Sequence, residues 1–255
     1  RSPEGIVEAF LRSTQITRRA PCAPVYICLD AGLQEQRLTR PVVLPDASRF
    51  APAEDPCAPQ DVVDRVAGML ATARAPLILI GRLSKRQEDW DRRVRLAELL
   101  GAPVLTSVRE RSAFPTEHPL HAAPPSYWVS KEMKDAIGGA DVILSLNWVD
   151  LNGLLQQVTR STADIASRIV HASLDSTLHN GWSMDHFGLP PVDQPVLAGP
   201  DAFVGQLLQA LEKRLNGSLH IRFKDHYLKY KALEPAKNLG ALPPNPRSLS
   251  LGPGD

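Results

Sequence analysis

Four junctions in this chain end an apolar run with residues able to hold a ligand: Gly81-Arg82, Thr106-Ser107, Asn147-Trp148 and Asp175-Ser176. Glycine after a strand permits a tight turn and close approach of backbone to ligand. Arg82 is a guanidinium placed to meet a phosphate. Asp175 falls where an acidic side chain would hold ribose hydroxyls. The chemistry these residues suggest is nucleotide binding, with Gly81, Arg82, Ser107, Asn147, Trp148 and Asp175 as candidates. The dinucleotide fingerprint G-x-G-x-x-G is missing, because Gly81 is followed by Arg82, Leu83 and Ser84. An ordinary strand-end glycine and a solvated loop arginine account for the same letters, so both readings stay open.

Other groups carry less. His118 and His121 in "HPLH", and His179, Asp185 and His186 in "HNGWSMDH", lack the i, i+4 helical spacing of a zinc site. Both sets lie in Gly- or Pro-containing stretches and read as surface loop histidines. Ser84, Ser107 and Ser112 have no G-x-S-x-G context and no evident base. "KDHYLKYK" mixes basic and aromatic residues, a pattern that can stack on single-stranded nucleic acid. In a chain of formal charge +1 it reads better as a solvated helix face with Tyr227 and Tyr230 inward. No catalytic residue and no metal ligand is assigned.

The elements that must position the strand-end residues are set out by hydrophobic period and proline clusters. "PEGIVEAFLRSTQIT" puts Ile6, Phe10 and Leu11 at helical spacing, with Ser2 as N-cap and Pro3 at the first position. "APVYICLD" reads as a buried strand. One helix and one strand cannot bury both faces of anything, so residues 1–38 are expected to end a domain. Residues 39–59 hold five prolines and little periodicity, as an extended linker does. From Gln60 helices and strands alternate. The helix "QDVVDRVAGMLATAR" turns Val62, Val63, Val66, Met69 and Leu70 inward, and the strand "PLILIG" follows. Next come "RQEDWDRRVRLAELLG", with Trp90, Val94, Leu96, Ala97 and Leu100 packed and Gly101 as the stop, and the strand "APVLTS". The helix "SKEMKDAIGGA", the strands "DVILSLN" and "RIVHASLD", and the helix "PDAFVGQLLQALEKRL" complete the series. This alternation predicts an α/β fold, a Rossmann-like three-layer α/β/α domain with a mainly parallel sheet. A further helix is expected in "SLHIRFKDHYLKYKALEPAK", before a tail of linker composition.

Composition excludes several classes. Near-neutral charge gives no footprint for nucleic acid or an anionic membrane. No apolar run approaches the ~20 residues that span a bilayer. Cys22, Cys28 and Cys57 are odd in number and lack C-x-x-C spacing, against a disulfide framework. The expectation is a soluble cytoplasmic protein.

In order and spacing, these pieces resemble the middle of a thiamine diphosphate-dependent enzyme of the acetolactate synthase and oxalyl-CoA decarboxylase type. "RRAPCAPVYICLDAGLQE" is similar to the Gly-Pro-Val strand that closes the family's pyrimidine-binding domain, with Ala23 in place of the glycine. "APLILIGRLSK", "LAELLGAPVLTSVRERSAFPTEHPL", "GGADVILSLNW" and "SRIVHASLDS" follow the central domain, and "GAPVLTS…FPTEHPL" is the most specific phrase. The resemblance covers residues 1–216. It implies that residues 1–38 end the pyrimidine-binding domain, 39–59 link, 60–216 form the central domain, and 217–255 lead toward a diphosphate-binding domain.

The resemblance also implies a thiamine diphosphate- and Mg2+-dependent parent acting on 2-keto acids through the thiazolium ylid. The family's activating glutamate would lie before Arg1, and its Gly-Asp-Gly metal motif does not occur here; the terminal "GPGD" has the wrong order. This segment is therefore expected to be a non-catalytic fragment with a structural or assembly role. Family members hold FAD, ADP or nothing in the central domain. Flavin-binding members resemble one another in an Arg-containing stretch, where "LNWVDLNGLL" here has Trp148 and Asn152 and no arginine, which counts against FAD. ADP or the adenosine part of coenzyme A stays open, as does a stand-alone module binding either. A homo-oligomer, dimer or tetramer in the parent, is implied, with no nucleic acid or membrane partner.

Overall fold

The computed structural model describes residues 2–159, 165–175 and 188–215. The elements before the sheet are α1 (Pro3–Arg18), α2 (Ala31–Glu35) and a 3-10 turn (Ala47–Phe50). Then come α3 (Gln60–Thr72), β1 (Pro76–Ile80), α4 (Gln87–Leu100), β2 (Val104–Thr106), α5 (Lys131–Gly139) and β3 (Val142–Leu146). The series closes with α6 (Leu151–Val158), β4 (Arg168–Ser173), β5 (Gln194–Leu197) and α7 (Pro200–Arg214). The helix expected over residues 218–237, the tail after it, and Ser176, His179, Asp185 and His186 lie outside the described residues.

The five strands form one sheet in the order β2-β1-β3-β4-β5, every pair parallel. Beyond β2, residues 120–122 add a minimal sixth strand. Val104 N–H donates to the Leu120 carbonyl at 2.7 Å, and Ala122 N–H donates to the Val104 carbonyl at 3.0 Å. Counting that bridge as the third strand in sequence, the spatial order is 3-2-1-4-5-6, the doubly wound arrangement. Its switch point falls between the carboxyl ends of β1 and β3.

Helices cover both faces, which is why β1 is apolar without alternation. Ile78 and Ile80 pack with Val66, Leu70, Phe203 and Leu207 on the α3, α4 and α7 side. Leu77 and Leu79 pack with Met133, Ile137 and Leu155 on the α5 and α6 side. Val62 and Met69 are partly buried at the rim of the first core, as the helical period predicts.

Two expectations change. Residues 23–30 form no strand, and Tyr26 is 89% exposed. A strand exists only where a neighbour accepts its backbone hydrogen bonds, and among the described residues none pairs with this segment. α1 has its Ser2 cap, with Gly5 N–H donating to Ser2 Oγ at 3.3 Å, yet none of its residues is buried. Among the described residues, no helix is long and apolar enough to cross a membrane.

Gly101 ends α4 at φ 60°, with its N–H donating to the Ala97 and Glu98 carbonyls. That left-handed conformation costs an L-residue about 1–2 kcal/mol. Gly101→Ala is expected to lower the thermal midpoint by roughly 2–8 °C, read by circular dichroism.

Candidate functional site

Four of the six strand-end candidates meet at the switch point and bind one another. The β1–β3 pairing continues two residues past β1 and one past β3: Gly81 N–H donates to the Leu146 carbonyl at 2.9 Å, and Arg82 N–H to the Asn147 carbonyl at 3.1 Å. A Cβ on Gly81 would lie 2.1 Å from the Asn147 carbonyl oxygen. The glycine therefore serves strand-to-strand approach, and the β1–β3 gap holds backbone where a phosphate would enter. Asn147 takes φ 53°, a left-handed conformation that asparagine tolerates better than most residues. Both polar atoms of its buried amide are bonded. Oδ1 accepts from Arg82 Nη2 and from Ser173 Oγ, both at 2.9 Å, and Nδ2 donates to the Arg82 carbonyl at 3.0 Å. Ser173 Oγ in turn accepts from Asp175 N–H at 3.0 Å, and the Asp175 carboxylate pairs with the Arg82 guanidinium.

Because the neighbour of Gly81 is backbone, there is little room to yield. Gly81→Ala is expected to cost about 1–3 kcal/mol through overpacking, measured as a fall in urea midpoint at unchanged slope.

Four residues before Asp175, sequence reasoning missed a half-buried imidazole. His171 on β4 has Nδ1 2.9 Å from Ser145 Oγ on β3. Burial pushes its pKa down to about 4, with the Asp175 charge acting upward and the Arg82 charge downward. The signal was available: β4 reads Arg-Ile-Val-His-Ala-Ser, and a polar residue two after Ile169 in a strand covered on both faces must point at a helix.

Ser107 and Trp148 sit apart from this knot. Ser107 N–H continues the ladder from β2 to the Ile80 carbonyl at 3.0 Å. Both residues line a cleft of about 210 Å3 with Arg109, Tyr127, Trp128 and Asp150. Tyr127 and Trp128 are exposed, and the Arg109 guanidinium lies 5.8 Å from the Tyr127 ring centre. Asp150 is occupied in part as the α6 cap, accepting from Gly153 N–H at 2.9 Å.

Of the histidines read as surface loop residues, His118 and His121 are struts of the β2 edge. His121 is half-buried between Thr106 Oγ1 at 3.0 Å and the Thr116 carbonyl at 3.3 Å. Burial depresses its pKa, opposed by the Thr116 carbonyl. The His118 ring packs edge-on against Phe114 and reaches Glu98 at 3.4 Å.

Comparison with known families decides what this scaffold is. Residues 63–185 match the family model described as thiamine pyrophosphate enzyme, central domain. The chain carries a thiamine pyrophosphate enzyme central domain. A sulfoacetaldehyde acetyltransferase of Rhodobacter capsulatus is 37% identical over 147 residues, 57% of this chain and 24% of that protein. An acetolactate synthase of Mycobacterium avium is 29% identical over 111 residues, 43% of this chain and 17% of that one. The structure of benzoylformate decarboxylase from Polynucleobacter necessarius superposes with a TM-score of 0.58 at 21% identity, over 82% of this chain and 37% of that chain, a likeness of fold. The chain thus spans about a quarter or less of the curated relatives named here.

Thiamine diphosphate, the cofactor this family is named for, needs a divalent cation at its diphosphate. Among the described residues of the central domain, no three His, Cys, Asp or Glu side chains converge to hold one. The donor set does not fit the group, and no step through it is derived for these residues.

The central domain instead carries a buried ionic knot that sequence reasoning overlooked. Arg93 on α4 is 1% exposed and pairs with Asp201 in the first turn of α7 at 2.7 Å. Its Nη2 donates to the Ser84 carbonyl at 3.1 Å, and Ser84 N–H donates to Asp201 Oδ2 at 2.7 Å. Ser84 Oγ donates to Asp89 at 2.8 Å, and Asp89 also receives Arg86 and Arg92. The loop after β1 is thereby tied to two helices. Helical spacing held the clue: 89, 93, 96, 97 and 100 share one face of α4, and Leu96, Ala97 and Leu100 are core.

Proposed function

We propose that this chain is the middle of a thiamine diphosphate-dependent, acetolactate synthase-like enzyme converting 2-keto acids, and that its role there is architectural. The observation that carries the reading is the match of the central-domain family to residues 63–185, which hold β1 to β4 of the parallel sheet. Thiamine diphosphate and Mg2+ belong to the parent, bound outside this segment. Residues 1–38 end a pyrimidine-binding domain, 39–59 link it to a central domain over 60–216, and 217–255 lead toward a diphosphate-binding domain. Exposed Phe10, Ile16, Tyr26, Val43 and Leu44 support neighbours covering the first part of the chain. The parent is a homo-oligomer. Three exposed free cysteines favour a reducing compartment, the cytoplasm.

A second reading, an ADP- or coenzyme A-binding module, is favoured by the aromatic cleft beside Ser107 and Trp148. Size argues against it: about 210 Å3 is below the roughly 300–1,000 Å3 of small-molecule sites. The crevice residues Gly81, Arg82, Asn147 and Asp175 hold one another, so their role in this proposal is to close the switch point.

The test is turnover. The chain with thiamine diphosphate, Mg2+ and a panel of 2-keto acids is expected to release no CO2 above the blank. A hybrid in which residues 60–215 replace the corresponding part of the Rhodobacter relative is expected to fold and retain that protein's thiamine-dependent activity. Thiamine-dependent CO2 release by the chain alone would overturn the proposal, as would an inactive hybrid that folds.

A further inference from the structure

A doubly wound sheet opens a crevice at its switch point, outside the carboxyl ends of the strands, and ligands settle there. Here that place is held by the chain's own groups. Arg82 leaves the end of β1, Asn147 the end of β3, and Asp175 lies just past β4. The Asn147 amide fixes Arg82 from two sides, through Oδ1 on the guanidinium and Nδ2 on its carbonyl. Ser173 holds Asp175 by its N–H and is itself bonded to Asn147. The outcome is a cation presented at a switch point with a carboxylate laid on it.

We infer that Asp175 is an internal stand-in for an anionic ligand: it occupies the anion position on Arg82 and so excludes phosphate groups from the crevice. A carboxylate and a phosphate oxygen satisfy a guanidinium in the same way. The pair is not sealed, since the Arg82 and Asp175 side chains keep 21% and 20% of their exposure, so an ion in solvent can reach it. The gap between β1 and β3 offers no second entry, because the space a Gly81 Cβ would need is taken by the Asn147 backbone. Asp175 is therefore the specificity-determining residue of the crevice. The inference rests on the architectural reading of the switch point and says what enforces it.

Inorganic pyrophosphate is the probe, titrated calorimetrically at low salt into the wild-type chain, Asp175→Ala, Asp175→Asn, and Asp175→Ala with Arg82→Gln. The wild type is expected to give no saturable heat. Asp175→Ala is expected to bind one pyrophosphate saturably, roughly 10- to 100-fold more tightly than the weakest affinity the titration detects, and the added Arg82→Gln to abolish the gain. Asp175→Asn, which keeps shape and loses charge, is expected to fall between. Saturable wild-type binding equal to that of Asp175→Ala would overturn the inference. So would a folded Asp175→Ala that binds nothing. Failure of Asp175→Asn to fold would also overturn it, because the carboxylate would then be an indispensable counter-ion, not an occupant. None of these outcomes touches thiamine-dependent turnover of the hybrid, so this inference and the proposed function fail separately.

Discussion

Arg93→Met is expected to destabilise the domain by about 3–5 kcal/mol, the cost of breaking a buried ion pair from one side. The magnitude follows from what stays behind. Asp201 sits in a site where burial already raises its pKa against the pull of Ser84 N–H and Arg93, and without Arg93 its charge has lost its guanidinium partner. Arg93→Met with Asp201→Asn is expected to recover most of the loss, because both charges leave together and Asn keeps an acceptor for Ser84 N–H. The deficit of the single variant is also expected to shrink as pH falls, since a carboxyl with a raised folded pKa is destabilising when ionised and is relieved by protonation. Urea unfolding at neutral and acid pH measures all three quantities. A single variant that loses under about 1 kcal/mol would mean the pair is surface-like in strength.

His171 gives the second large effect, with the opposite dependence on pH. Its folded pKa of about 4 lies below the ordinary histidine value, so the fold favours the neutral ring. The stability linked to it is fully present above the unfolded pKa, near 6.5, and is lost as pH falls toward 4. The window amounts to roughly 3 kcal/mol. Replacing His171 with Gln removes the titrating group, so the variant is expected to lose much less stability than the wild type between about pH 7.5 and about pH 4.5. Urea midpoints at the two pH values decide it: parallel losses in both proteins would mean that His171 is not the acid-sensitive group. Ser145, buried and with its Oγ 2.9 Å from Nδ1, is the side chain that holds the half-buried ring in place.

The fold was legible where the period was strong. The short apolar runs at 76–80 and 142–146 and the Ile-Val pair in 168–173 read as buried strands, and α3, α4 and α7 carry clear helical stripes. β5 escaped because Gln-Pro-Val-Leu is short, contains proline and sits as an edge strand after another proline pair. α6, eight residues of "LNGLLQQV", is too short for the helical period to single it out, although Asp150 caps it. The opposite error came at 23–30, where strand composition met no partner strand. Composition cannot supply the neighbour that strand pairing requires.

Position along the strands was legible in the sequence, and contact between the positions was not. All six strand-end residues do lie at strand carboxyl ends, since topology alone puts them there. What sequence cannot report is that Arg82, Asn147 and Asp175 bind one another, because those contacts join positions 65 and 93 residues apart. Gly81 illustrates the same limit. A glycine for phosphate approach and a glycine for strand approach are the same letter, and only the Asn147 carbonyl, 2.1 Å from where a Gly81 Cβ would stand, tells them apart.

The central claim is that this domain contributes architecture and keeps its switch point closed. The most direct measurement is calorimetric titration of the wild-type chain with ADP, with FAD and coenzyme A in parallel runs. The account predicts no saturable heat with any of the three. One-to-one binding of ADP that disappears in Arg82→Gln would contradict it, and would make the crevice a nucleotide site that opens to its ligand.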